Sequence, residues 1–89
     1  MAKKRRKLNK DFEKKIYSEK KNVELVLAKI FDIDDEDIQK EYMTAFNEVV
    51  YLYDVLKEAY DQSGFNEDSE GLLKNYKNSF NLFESEYEI

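Results

Sequence analysis

The amino-acid sequence predicts an all-α fold: a small three-helix bundle of antiparallel helices with a basic N-terminal arm. Three observations predict it. The 89 residues contain no Pro and only Gly64 and Gly71, so the backbone has few breakers. Apolar residues recur at steps of three and four along most of the chain, which is the period of one helix face. Two short joins, at 32–33 and 63–65, interrupt that pattern, and joins this short make successive helices antiparallel neighbours. The arm is assigned to residues 1–10 and the helical domain to 11–89, with helices at about 11–31, 34–62 and 67–87.

In the first helix Phe12, Ile16, Val23, Leu27 and Ile30 form the apolar stripe, widened at its end by Val26 and Phe31. Glu19 and Lys20 leave a polar gap, so packing is expected to be tight after Val23 and looser before it. The second helix carries an unbroken seam, Ile38, Tyr42, Ala45, Val49, Leu52, Leu56 and Ala59, in alternating steps of four and three. Phe46, Val50, Tyr53 and Tyr60 make a second row beside it, which places this helix between two neighbours. Asp34 is expected to cap its start, with Ile33 and Ile38 as a hydrophobic staple. Asp35, Glu36 and Asp37 then set negative charge against the positive end of the helix dipole. The β-branched and aromatic residues of 49–56 could also suit a strand, but the helical spacing continues on both sides and no partner strand exists.

Gly64 is expected to stop the second helix by taking a left-handed conformation, with Phe65 folding back on the last turn. An Asn66 or Asp68 cap opens the third helix, whose stripe is Leu73, Tyr76, Phe80, Phe83 and Tyr87. Gly71 near its start costs up to ~1 kcal/mol relative to Ala.

Composition narrows function. A domain this small buries only about 60 to 65% of the surface its unfolded chain exposes, so stability is expected to be modest or partner-dependent. There is no Cys and no His, which removes the commonest nucleophile–base pairings and the commonest transition-metal ligand. A non-enzymatic protein without cofactor is expected. Residues 32–37 place acids at the first, third and fifth positions of a calcium-type loop, but Asp37 stands where such a loop needs Gly and Met43 where it needs Glu, so no metal is expected. The basic start is followed by polar residues where a signal peptide would be apolar, and no apolar run spans a membrane; a cytoplasmic protein is expected.

Charge is the feature that points to partners. Residues 1–22 carry ten Lys/Arg against three Asp/Glu, a net +7, while residues 23–89 carry five Lys against seventeen Asp/Glu, a net −12. Lys3, Lys4, Arg5, Arg6, Lys7 and Lys10 are the candidates for nucleic-acid phosphates, because clustered cations replace condensed counterions. A self-docking or solubilising tail is the plainer use of the same run. Asp34, Asp37, Glu41, Glu48, Asp54, Glu58 and Asp61, with Tyr51 as an aromatic anchor, are the candidates for a partner-binding acidic face. Asp34, Glu41 and Glu48 recur every seven residues, a rise of about 10.5 Å, which is an imperfect match to phosphate spacing unless rows from two helices combine. Tyr17 and Tyr87 are further aromatics suited to an interface.

The expected function is a binding protein whose acidic helical surface occludes or adapts a nucleic-acid-handling protein, since a positive field that steers DNA would also steer this surface. In its Lys, Asn, Glu and Tyr bias the chain is similar in general character to phage and mobile-element accessory proteins, including some anti-CRISPR and anti-restriction inhibitors and nucleic-acid mimics. That likeness is one of composition and transfers no residue. The alternative is a small nucleic-acid-binding regulator that holds phosphates through its basic arm, the seam of the second helix serving a homodimer.

Overall fold

Three helices, α1 (Lys10–Phe31), α2 (Glu36–Ser63) and α3 (Glu67–Glu86), make up nearly all of a computed structural model that describes residues 7–87. Each helix begins on a side-chain cap that satisfies backbone N–H groups left open in the first turn. Asn9 accepts from the Phe12 N–H at 2.9 Å. Asp35 accepts from Asp37 and Ile38 at 2.9 and 3.1 Å. Asn66 and Ser69 form a reciprocal box, each side chain accepting from the other's backbone N–H at 2.9 Å. Gly64 ends α2 with φ of 78°, and its N–H reaches the Tyr60 carbonyl at 2.8 Å.

The cap of α2 is therefore Asp35, one residue later than expected, and Asp34 lies in the preceding turn. The expected staple is absent, because Ile38 is 47% exposed. Gln39 does the joining instead. Its side-chain amide donates to the carbonyls of Ile30, Phe31 and Ile33 at 3.2 to 3.4 Å, closing the end of α1 against the start of α2.

The core is one cluster drawn from all three helices. Its α2 side is Phe46, Val49, Tyr53, Leu56 and Tyr60, alternating three and four. The buried face thus lies between the two predicted rows: Val49 and Leu56 come from the seam and Phe46, Tyr53 and Tyr60 from the row beside it, while Tyr42, Ala45 and Leu52 of the seam and Val50 of the row pack at its edge. α3 faces it with Leu73, Tyr76, Phe80 and Phe83, and packs on α2 more extensively than α1 does. Rings from the two helices interlock, Phe46 with Phe83 at 4.8 Å, Tyr53 with Tyr76 at 5.8 Å and Tyr42 with Tyr87 at 4.9 Å. Such pairs contribute about 0.5–1.5 kcal/mol each beyond area burial.

α1 closes the bundle with Phe12, Ile16, Val23, Val26 and Ile30. The expected looseness before Val23 is not found. Phe12 and Ile16 are buried, Phe12 lying 5.5 Å from Tyr60 and 5.0 Å from Phe65, and the polar gap is filled by Glu19, which accepts from the Tyr76 hydroxyl at 3.1 Å. Phe31, expected in the stripe, is 65% exposed. Its exposure and that of Ile38 share a cause. At about 1.5 Å per residue, 28-residue α2 is some 12 Å longer than 20-residue α3. Tyr87, just past α3, meets the Tyr42 ring and lies beside Asp37, Lys40 and Glu41, so only the end of α3 reaches the start of α2. The result is a rod with extents of 57 × 20 × 19 Å.

Gly71 is exposed within α3, and a Cβ built there meets nothing. Gly71→Ala is expected to stabilise the fold by about 0.5–1 kcal/mol, read from urea unfolding; an unchanged midpoint would show that the first turns of α3 contribute nothing to cooperative folding. Burial, then the nearby Glu19 carboxylate, holds the Tyr76 phenol well above its ordinary value of 10.0. The native state keeps that proton where the unfolded chain loses it, so stability falls as pH rises above about 10. Tyr76→Phe is expected to flatten the stability profile between pH 10 and 12 relative to the parent, measured by chemical denaturation across that range.

Candidate functional site

The predicted acidic residues divide into two groups. At about 100° per residue, Asp37, Glu41 and Glu48 lie within about 40° of one another on α2, and Asp54, Glu58 and Asp61 within about 60°. The groups are centred roughly 110° apart, the second turned toward α1. All six are exposed, as is Tyr51 at 66% between them. Asp61 accepts from Lys57 at 2.9 Å and Glu58 from Gln62 at 3.2 Å, so the second group is partly engaged within α2. The hydrogen bond to Asp61 raises the Lys57 pKa, but both side chains are about half exposed and the pair adds little stability.

The first group belongs to something larger. Asp34 joins Asp32, Asp35, Glu36, Asp37 and Glu41 around the join of α1 and α2, with Lys40 among them and Lys29 one turn before, and all are exposed. The antiparallel path brings Glu84 and Glu86, at the end of α3, to the same end of the rod. Tyr87, just past α3, lies beside the Asp37–Glu41 turn of α2. This end is an acidic pole.

The opposite end holds the root of the basic arm. Lys3, Lys4, Arg5 and Arg6 lie outside the described residues; Lys7 and Lys10 are exposed. The Lys7 carbonyl accepts from the Phe65 N–H at 2.7 Å in an isolated parallel bridge with Gly64, and the Lys7 ammonium sits 5.9 Å from the Phe65 ring. Tyr60 reinforces the root. Its hydroxyl donates to the Glu13 carboxylate at 2.6 Å and accepts from the Asn9 N–H at 3.0 Å.

Beside this root a groove of ≈ 850 Å³ runs between α1 and α2. Ile16, Tyr53 and Tyr60 line its floor, and Lys10, Lys14, Lys20 and Lys57 its rim, with the largely exposed Leu8 and Tyr17. Burial raises the Tyr53 pKa, so its phenol is neutral at physiological pH. Sequence reasoning restricted the cations to the arm and missed this groove. A signal existed: Lys10, Lys14, Tyr17 and Lys21 step by four, three and four along the polar face of α1, opposite the apolar stripe. Tyr87, expected as an interface aromatic, instead stacks on Phe83 at 5.1 Å and extends the core.

Among the described residues no group of three or more His, Cys, Asp or Glu side chains is placed to hold a metal ion, and no helix is long and apolar enough to cross a membrane. The chain matches no protein-family model, no curated protein and no solved structure.

Tyr60→Phe removes one hydroxyl from a buried ring, leaving the half-buried Asn9 N–H without its acceptor and returning the exposed Glu13 carboxylate to water. A loss of about 1–2 kcal/mol is expected, with the Asn9 amide losing hydrogen-exchange protection first; an unaltered Asn9 amide would show that the root is held by Phe65 alone.

Proposed function

We propose that this chain is a non-enzymatic binding protein whose acidic helical surface occludes or adapts a nucleic-acid-handling protein. The observation that carries this reading is the acidic pole, where Asp34, Asp37 and Glu41 stand exposed at the start of α2 together with five further carboxylates. A cationic groove evolved to hold nucleic acid would attract such a pole through the same field that attracts phosphate. Glu48 and Tyr51 extend the contact along α2, and Tyr51 supplies rigid area for an anchor. Asp54, Glu58 and Asp61 lie too far round the helix to join the same flat contact and serve the field rather than the interface. Occlusion by competition, as in phage-type inhibitors of nucleic-acid enzymes, is the mechanism this geometry favours, with action inside the cytoplasm where such enzymes work.

The test compares two forms of the full chain as bait in lysate of the producing cell or its host, with and without nuclease. The parent is expected to retain a nucleic-acid-binding protein after nuclease treatment and to release it to added duplex DNA. Asp37→Lys with Glu41→Lys is expected to retain at least tenfold less, since reversing two charges in a complementary contact costs several kcal/mol. Equal capture by the reversed chain would overturn the proposal.

A further inference from the structure

We infer that the groove between α1 and α2 is a binding site for single-stranded nucleic acid, in which Lys10, Lys14 and Lys20 contact phosphates and the Tyr17 ring is a stacking platform. This site lies on a different face from the acidic pole and does not depend on the function proposed for it.

The groove lining carries four cations against two carboxylates. Both carboxylates are already engaged, Glu13 by the Tyr60 hydroxyl and Asp61 by Lys57. Lys10, Lys14 and Lys20 have no ion-pair partner among the described residues. The lining therefore nets +2, and Lys10, Lys14 and Lys20, spread over about 15 Å of α1 and about 120° of its circumference, suit a polyanion of a few units rather than a single ion.

The aromatic content distinguishes nucleic acid from other polyanions. Tyr17 is 58% exposed and contributes nothing to the core, yet it stands amid the cations, with the Lys21 ammonium 4.9 Å from its ring centroid. Aromatic rings interleaved with cations along a groove are the means by which proteins hold unpaired bases, because every base offers a π face and every linkage a charge. An apolar floor of Ile16, Tyr53 and Tyr60 then receives the sugar and base edges. Bases in a duplex are stacked on one another and cannot reach Tyr17, so the ligand is single-stranded. Leu8 lines the groove mouth, and the Phe65–Lys7 hydrogen bond fixes the chain beside it.

Binding of a fluorescein-labelled dT12 or rU12 strand to the full chain, followed by anisotropy from about 50 mM salt upward, tests this. Tyr17→Ala is expected to weaken binding about tenfold or more and Tyr17→Phe to restore it. Lys14→Gln with Lys20→Gln is expected to lower the slope of log affinity against log salt by about 1.4, at 0.7 per lost contact. A chain with Lys3, Lys4, Arg5 and Arg6 all changed to Ser is expected to bind more weakly while keeping its full dependence on Tyr17. Asp37→Lys with Glu41→Lys is expected to leave affinity unchanged or raised, which separates this site from the acidic pole. Amide shifts induced by dT12 should centre on residues 10–21, a readout independent of any substitution. The inference is overturned by absence of binding at low salt, or by a Tyr17→Ala chain that binds within twofold of the parent. Loss of all binding with the arm substitutions alone would assign the contact to the arm, and equal displacement by a poly-glutamate peptide would assign the groove to acidic peptides; either also overturns it.

Discussion

The interlocked rings between α2 and α3 are the contact on which the rest of the molecule depends. Phe46 meets both Phe80 and Phe83, Tyr76 meets both Tyr53 and Phe80, and Tyr42 closes the row against Phe83 and Tyr87. A chain of this size has little apolar surface to bury, and large rings give the most buried area per residue. α1 is held differently. Its aliphatic stripe is supplemented by three polar ties: Tyr60 to Glu13 near its start, Tyr76 to Glu19 at its middle and Gln39 over its last carbonyls. Two of those ties use hydroxyls of core rings, so the aromatic seam that joins α2 to α3 also fixes the register of α1.

Register and helix length together decide where charge goes. The acid-rich turns and the lysine-rich turns are local in sequence, at 32–41 and 7–21, and α1 joins them. Because α1 is a rigid helix, it holds Lys14 about 27 Å and Lys21 about 16 Å from Asp32 rather than letting the two regions collapse on each other. Antiparallel return then adds the acidic end of α3 to the acidic turn. The shorter α3 reaches the start of α2 only with Tyr87, which leaves Ile38 half exposed beside Asp37 and Glu41.

Helix number, order and most of the buried residues were legible in the sequence because they follow from local spacing and capping chemistry. Fourteen apolar residues form the core, and of the stripes read from the sequence only end positions such as Phe31 and Ile38 fall well outside it. What was not legible depends on neighbours. Placing the buried face between the two rows of α2 requires knowing on which sides α1 and α3 lie, which spacing along one helix does not contain. The cap moved from Asp34 to Asp35 because both residues can accept from the first turn and only the path of the join decides. Glu19 reads as a gap along α1 and becomes a core contact only when the Tyr76 hydroxyl arrives from 57 residues away. For the functional surfaces the same limit applied. The acidic residues were visible one by one, but the pole is made by three helix ends meeting, and the groove by two helices whose polar edges face each other.

A protein of net charge −5 that presents a groove for anions would be self-defeating if all its charges acted together. They do not. At physiological ionic strength the Debye length is about 8 Å, so the carboxylates of the acidic pole, which begin about 27 Å from Lys14, add almost nothing to the potential over it. Of the carboxylates that line the groove, Asp61 is paired with Lys57 and Glu13 accepts from the Tyr60 hydroxyl, while Asp54 and Glu24 act on Tyr53 from beyond its edge. Local potential is therefore set by what lies within one or two turns, and the net charge describes neither end of the rod. The separation also carries a consequence for salt. Lowering ionic strength toward 0.01 M lengthens the screening distance to about 30 Å, at which point each pole begins to weaken the other's hold on its ligand. Contacts at either end should thus strengthen with falling salt less steeply than their own charges alone would dictate, a curvature that a single-surface protein of the same composition would not show.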